Sequence, residues 1–366
     1  MLHLLYGPAA SGKTDLLMGR IRTAVAARTP GQVLLVPEQY SHEAERALCA
    51  ACGDSLSLYA EVLSFTGLAR RVAAETGAGE APLLDQGGRL LCMALALSQV
   101  APRLRLFGAA ARRPQMQQTL LGAVDELKTA CVTPDALEAT AARCPGYLGD
   151  KLRDLSLIYG IYLSKLHAPG HDARDVLEKL EENLEASGYI DNKDIFLDGF
   201  SYFTGRELRI LRILLRRAKS VTVTLLGDTQ DRELFSEGLR VRERLYALAR
   251  DAGVACEEEI LPQGEVRGAL DHIERCFFGA ADEFTQPTDT VALYEAGSAY
   301  SECEWVASQI LKLVREQGYR YREITVTARD LDSYAGAIES VFARYGIPLY
   351  LSLIHISEPT RHLRIS

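Results

Sequence analysis

The 366-residue chain has no apolar run of the roughly 18 residues that would span a bilayer. It also has no basic leader: Met1 to Tyr6 is a short apolar stretch that runs straight into a glycine-containing loop, the wrong order for a secretory signal. Both absences point to a cytoplasmic protein. Basic excess is missing too. With 41 Lys and Arg against 49 Asp and Glu, the formal charge is −8, which excludes a uniformly basic coat but not a local basic stripe. There is no metal-binding cysteine framework. Of eight cysteines only Cys49 and Cys52 stand as CxxC, no second pair follows at zinc spacing, and without a leader all eight read as reduced thiols. His167 and His171 are four apart, but Pro169 and Gly170 between them break the helix that would align them. Internal repeats and low-complexity linkers are absent as well.

What is present begins with Gly7-Pro8-Ala9-Ala10-Ser11-Gly12-Lys13-Thr14, a full match to G-x-x-x-x-G-K-[ST]. It follows an apolar strand at 2–6 and opens a helix at 13–27, the context that such a loop requires. Its two glycines let backbone N–H groups converge on phosphate oxygens, and the new helix adds its positive end. Lys13 is suited to neutralise the β- and γ-phosphates of a nucleoside triphosphate, and Thr14 to coordinate magnesium. A carboxylate on a neighbouring strand should share that metal. Asp198, closing the apolar run Ile195-Phe196-Leu197, is the candidate, although an Asp there could equally cap a turn before Phe200.

The hydrophobic pattern continues with strands at 33–36 and 56–63 and helices at 43–51 and 65–75, signalling a doubly wound α/β domain. From 82 to 189 the pattern is helical, clearest at 115–130 and 151–166. Sheet character resumes at 195–198, followed by a helix at 205–218 and a strand at 221–226. A further unit with strands at 291–294 and 324–327 and a helix at 302–316 follows. Residues 351–361 (LSLIHISEPTR) resemble a frame-perfect translation of a transposase adapter used in sequencing libraries. Residues 351–366 are therefore set apart as non-native, and the native chain is expected to continue differently past Tyr350.

The order of these features resembles superfamily 1 helicases of the UvrD/Rep kind, and more closely the B subunit (AddB or RexB type) of the AddAB helicase–nuclease. The residues that carry the likeness are Gly7–Thr14; Val36-Pro37-Glu38-Gln39-Tyr40-Ser41; Glu61-Val62-Leu63-Ser64-Phe65; Leu197-Asp198-Gly199-Phe200 with Phe203-Thr204; and Gly346-Ile347-Pro348. The resemblance implies a RecA-like P-loop NTPase sheet interrupted by a large helical insertion. Domain 1A would comprise 1–81 and 190–285, a 1B-like insertion 82–189, and the start of a second RecA-like domain, 2A, 286–350. It also implies binding of ATP with Mg2+, DNA as substrate, and a heterodimer with an AddA-type helicase–nuclease. A C-terminal nuclease holding an iron–sulfur cluster is expected outside this stretch. Active helicases of this kind carry Glu after the magnesium-binding Asp, to position and deprotonate the attacking water. Gly199 stands there instead, so hydrolysis is expected to be weak or absent.

By the same resemblance, single-stranded DNA would meet Gln39, Tyr40, Ser41, Ser64 and Phe65, and Arg329 would reach toward the nucleotide. Tyr40 could stack on a base or simply pack on the helix after it. Leu226-Gly227-Asp228-Thr229-Gln230 resembles the helicase Gly-Asp…Gln motif with its Gln one residue early. The cluster Arg206, Arg209, Arg212, Arg216, Arg217 and Lys219 reads either as a solvated helix face or as a stripe for phosphates or a partner. Three functions compete: a nucleotide-binding, DNA-recognising repair protein; an active superfamily 1 helicase or ATPase, which lacks a visible general base; and a small-molecule P-loop kinase, which the long gap between loop and Asp198 disfavours.

Overall fold

The computed structural model describes residues 1–53, 56–77, 83–166, 171–172, 175–228, 235–262, 268–276 and 282–350. The chain divides into two compact units, Met1–Gly264 and Glu265–Ser366. The set-apart tail at 351–366, and Thr229 and Gln230, lie outside the described residues.

The first unit is built on six parallel strands: β1 (Leu2–Gly7), β2 (Gln32–Leu35), β3 (Ala60–Leu63), β6 (Asp194–Leu197), β7 (Ser220–Leu226) and β8 (Cys256–Ile260). Their order across the sheet is β3-β2-β6-β7-β1-β8. The remaining two strands, β4 (Leu83–Leu84) and β5 (His171–Asp172), make a separate two-residue parallel ladder. Helices α1 (Lys13–Ala26), α2 (Ser41–Cys52) and the single turn α3 (Leu56–Tyr59) cover one face of the large sheet, where Leu17, Ile21, Leu48 and Leu56 meet Leu5, Leu34, Val36 and Phe196. Helix α4 (Phe65–Thr76) lies on the other face. There Leu68 and Val72 pack with Leu2, Leu4, Tyr6, Val33, Leu35, Ile195, Leu197, Val221 and Val223. Alternate residues of β1, β2 and β6 thus feed opposite cores, which is why these strands read as unbroken apolar runs.

Helices α5 (Gln86–Val100), α6 (Pro114–Thr129), α7 (Pro134–Ala141) and α8 (Tyr147–Leu166) form the insertion around their own core of Met93, Leu97, Val124, Ile158 and Tyr162. Helix α9 (Val176–Leu184), inside the span expected for the insertion, instead gives Leu180 and Leu184 to the sheet's core beside α10 (Gly205–Arg217) and α11 (Ser236–Asp251).

The sequence stretch 56–63 expected as one strand splits into α3 and β3. Strand β8 was not legible at all, because its Cys-Glu-Glu-Glu-Ile sequence looks like solvated loop. As an edge strand it tolerates charge, and each carboxylate finds a partner: Glu257 faces the His3 ring at 3.3 Å, Glu258 takes Arg242 Nε and Nη2, and Glu259 meets Arg20 at 2.6 Å. The arginine cluster of α10 resolves similarly. Arg206 pairs with Glu178 and Glu181, Arg217 with the Leu184 and Glu185 carbonyls and Asp191, and Lys219 with Asp194, so most of the supposed stripe rivets α10 to its neighbours. Only Arg212 and Arg216 remain exposed without a partner among the described residues.

In the second unit α12 (Ala269–Cys276) precedes α13 (Ala299–Glu316) and α14 (Leu331–Tyr345), and the last two pack through Cys303, Ala307, Ile310, Ile338, Val341 and Phe342. Neither expected strand forms: 291–294 and 324–327 have no ladder partner among the described residues, and Leu293 is fully exposed. A lone strand leaves its N–H and C=O groups unpaired, so an apolar run without a neighbour stays irregular.

Two features of the sheet generate predictions. At its lower end Asp194 links three strands, accepting from Gln32 Nε2 at 3.2 Å, Lys219 Nζ at 2.9 Å and Ser220 Oγ at 2.7 Å. Burial pushes this carboxyl up, but the hydrogen bonds from Ser220, Lys219 and Gln32 outweigh it and hold its pKa below the usual value. A depressed carboxyl stabilises the fold above its unfolded pKa and loses that contribution as pH falls through the folded value. Asp194→Asn should therefore lower Tm at neutral pH, and its Tm should converge on the native curve in acid, below about pH 4. At the other end the Tyr6 ring lies flush on Gly227, where a Cβ would come within 2.1 Å of the ring. Gly227→Ala should cost about 1–3 kcal/mol in thermal or urea unfolding, and adding Tyr6→Val should recover part of the loss.

Candidate nucleotide site

The loop joins the end of β1 to α1 through two left-handed residues, Ala10 (φ 54°) and Gly12 (φ 82°). Gly12 occupies the N-cap of α1 with no side-chain cap, so the first N–H groups of the helix face the loop rather than a capping oxygen. Gly7 has no room for a side chain: a Cβ would sit 2.7 Å from both the Leu261 carbonyl and Ser11 Oγ. Glycine is needed at one end for close packing and at the other for backbone sign. Left-handed residues in such a turn are the backbone form that can gather successive N–H groups around an anion. Lys13 Nζ lies over the loop, donating to the Gly7 carbonyl at 2.8 Å, to the Pro8 carbonyl, and to Ser11 Oγ at 3.1 Å.

Asp198 sits at the carboxyl end of β6, two strands from β1 with β7 between. Its backbone is fixed by Asp198 N–H donating to the Leu35 carbonyl at 3.1 Å. Its side chain reaches Thr14: Thr14 Oγ1 donates to Oδ2 at 2.9 Å, and Thr224 Oγ1 on the intervening β7 donates to Oδ1 at 2.5 Å. The carboxylate is thereby aimed at the first turn of α1 and does not serve as a turn cap. Thr224 is a member of the site that sequence reading missed. Its signal was the alternation Val221-Thr222-Val223-Thr224-Leu225, two hydroxyls on one face of a strand that is otherwise apolar and buried.

Gly199, the next residue, has φ 79°. A Cβ there would meet Pro37 Cδ at 3.5 Å and Tyr40 Cδ2 at 3.9 Å, so a side chain would leave toward the segment after β2.

That segment and the one after β3 adjoin. Tyr40 N–H donates to the Pro37 carbonyl at 2.9 Å and Ser41 Oγ to the Glu38 carbonyl at 2.8 Å. Thr66 Oγ1 donates to the Glu38 carboxylate and lies 2.9 Å from Ser64 Oγ, which caps α4 by accepting from Gly67 N–H at 3.0 Å. Gln39, Tyr40 and Ser41 reach solvent at this junction, whereas Ser64 is engaged in the cap. Phe65 is 5% exposed, edge-on to Phe200 at 5.5 Å, and Phe200 stacks on Phe203 at 5.2 Å. Ser64 and Phe65, both expected to touch DNA, are buried, with the Ser64 side chain at the helix start and the Phe65 ring in the core. Arg329 is exposed on the second unit. Among the described residues no group of three or more His, Cys, Asp or Glu converges on a metal position, and Cys49 and Cys52 lie on α2 with free thiols.

A parallel sheet in this order, with the glycine loop on β1 and the carboxylate strand one strand removed, defines a RecA-like P-loop domain with helical insertions. Within that class the chain belongs to the AddB family, whose N-terminal family model matches residues 4–274. It is 36% identical to the B subunit of the ATP-dependent helicase/deoxyribonuclease of Desulforudis audaxviator over 99% of the chain, and 34% identical to the protein of the same name from Pelotomaculum thermopropionicum over 96%. The like-named protein of a Thermoanaerobacter strain is 31% identical, again over 96% of the chain. In each case the match covers 32% of the relative, so the chain spans about a third of their length.

The backbone at Gly199 gives a direct test. Gly199→Glu forces an L side chain into the left-handed region and should lower stability by about 1–2 kcal/mol. Gly199→Asn, whose short amide tolerates that region, should cost less. Equal melting temperatures for the two variants would contradict a left-handed residue 199.

Proposed function

We propose that this chain is the N-terminal, helicase-like part of the B subunit of an ATP-dependent helicase/exonuclease that processes double-strand DNA ends for recombinational repair in the cytoplasm. On this reading it pairs with an AddA-type helicase–nuclease. The nuclease and its iron–sulfur cluster belong to sequence outside this chain. Within the chain, residues 1–81 and 190–285 act as domain 1A, 82–189 as the 1B-like insertion and 286–350 as the opening of domain 2A. Arg329 on that last part is the residue the family resemblance assigns to the nucleotide.

The loop Gly7–Thr14 binds the triphosphate of ATP. Backbone N–H groups surround the phosphates, and Lys13 exchanges its carbonyl partners for β- and γ-phosphate oxygens. The donor set fits magnesium, since Thr14 and Asp198 bring a hydroxyl and a carboxylate, both hard oxygen ligands, within 2.9 Å of each other. Bound there, the ion would neutralise phosphate charge. Thr224 holds the second carboxylate oxygen and so orients the first.

The observation that carries the reading is the Thr14–Asp198 contact, followed immediately by a glycine in a left-handed conformation. The hydroxyl and carboxylate suited to a nucleotide-bound magnesium adjoin, and the residue after Asp198 has no side chain and a left-handed backbone, which supports this reading. Nucleotide binding without vigorous turnover follows. Gln39, Tyr40 and Ser41 face single-stranded DNA, with Tyr40, 44% exposed, available to stack on a base for about 1–3 kcal/mol.

Equilibrium dialysis of the full chain with radiolabelled ATP and magnesium should show retention, and Lys13→Ala should abolish it. Hydrolysis should stay slow with or without single-stranded DNA. Strong DNA-stimulated turnover would instead favour an active superfamily 1 motor, and no retention by the native chain would remove the nucleotide reading altogether.

A further inference from the structure

Acidic residues outnumber basic ones over the whole chain, yet the 39 residues from 86 to 124 contain five arginines and no Asp or Glu. The rest of the chain carries a formal charge of −13. This acid-free stretch comprises α5, the first part of α6 and the turn between them in the helical insertion. Two of its arginines are used internally: Arg89 pairs with Asp125 in the insertion's core, and Arg105 pairs with Asp150. Arg103, Arg112 and Arg113 are exposed and have no carboxylate partner among the described residues.

These three stand on one ordered turn. Two short 3-10 helices, Ala101–Arg103 and Gly108–Ala110, are packed so closely that a Cβ on Gly108 would come 2.8 Å from the Ala101 carbonyl. The buried Asp154 carboxylate clamps the segment between them, accepting the N–H groups of Arg105 at 2.9 Å, Leu106 at 2.8 Å and Phe107 at 3.1 Å. Arg113 N–H donates to the Ala110 carbonyl at 3.0 Å, so the arginine pair is tied to the same turn. Gln115, Gln118 and Thr119 extend the exposed surface along the first turns of α6, again without an acid.

We propose that this turn is a docking surface for the phosphate backbone of a DNA duplex, distinct from the segments at the ends of β2 and β3. Three arginines on a clamped turn, without carboxylate partners among the described residues, can neutralise phosphates and release their counterions. Arginines, amides and a hydroxyl are the side chains that bond phosphate and sugar oxygens. Within residues 86–124 the one aromatic, Phe107, packs against the insertion's core. Unpaired bases would find no ring on this stretch to stack on, which favours the duplex backbone over a single strand. The inference rests on the reading that the chain engages DNA, and it adds where the paired part is held.

The test is fluorescence anisotropy of the full chain on a short blunt duplex and on the corresponding single strand, across a salt series. Replacing Arg103, Arg112 and Arg113 together by Glu should make the duplex slope of log K against log salt shallower by about 0.9 for each phosphate no longer neutralised. The single-strand slope should change less, and retention of ATP should be unaltered. The corresponding triple Gln variant, gentler on folding, should move in the same direction. A duplex slope equal to that of the native chain overturns the proposal, and so does an equal change on single strand. A native chain that retains ATP but binds neither form of DNA overturns the duplex surface while leaving the nucleotide site standing.

Discussion

The site depends on one carboxylate held by two hydroxyls. Asp198 receives Thr14 from the helix after the loop and Thr224 from the strand between, so three elements from distant parts of the sequence converge on one side chain. Hydrogen bonds to a charged acceptor are worth about 1.5–3 kcal/mol each when well formed. Their geometry here is set by the sheet. The Asp198 N–H bonds Leu35 across β2, and the register of β6 on β7 places Leu197 beside Val223. Slipping β6 by one residue would turn its side chain to the opposite face and leave both hydroxyls without it. The apolar packing of Ile195, Phe196 and Leu197 on two separate cores forbids that slip. The polar site is therefore located by hydrophobic registry, and the loop motif works only because the strand two places away is fixed.

Much of this was legible in the sequence for physical reasons. Strands β1, β2, β6 and β7 are sandwiched between helices, so burial demands apolar residues at nearly every position and the runs stand out. The loop is legible because close packing at Gly7 and a left-handed backbone at Gly12 leave little choice of residue. Where tertiary partners replace apolar character, the sequence misleads. Strand β8 holds its place by ladder bonds and by pairing Glu257, Glu258 and Glu259 with His3, Arg242 and Arg20. The basic cluster of α10 left a solvated face and a phosphate or partner stripe both open in the sequence, and the fold closes Glu178, Glu181, Asp191 and Asp194 around Arg206, Arg209, Arg217 and Lys219. In the second unit, apolar runs at 291–294 and 324–327 had the composition of strands without a neighbour among the described residues to pair with.

Gly199 joins the two halves of the first unit's upper surface. On one side is Asp198 with the loop; on the other are Pro37 and Tyr40, over which the glycine folds. In a motor, a carboxylate at this position would belong to the nucleotide side. Here the left-handed turn gives the space to the segment after β2 instead, and Phe200 continues into the ring stack with Phe65 and Phe203. A substitution here meets a left-handed backbone, and the Cβ it adds lies against Pro37 and Tyr40. The left-handed backbone at Gly199 and the close seating of Pro37 and Tyr40 are thus one structural fact.

The distribution of charge on the first unit extends the same logic. Around the sheet, carboxylates meet Arg20, Arg71, Arg206, Arg217, Lys219 and Arg242, pairs that tie its elements together. The turn in the insertion keeps three arginines without a carboxylate partner among the described residues, while the buried Asp154 orders it. A segment that only had to be solvated would not need a clamp, and a clamp that only had to close a turn would not need an acid-free surface beyond it. The two together are the signature of preorganised anion recognition, in which the ordering cost is met during folding rather than at the moment of binding.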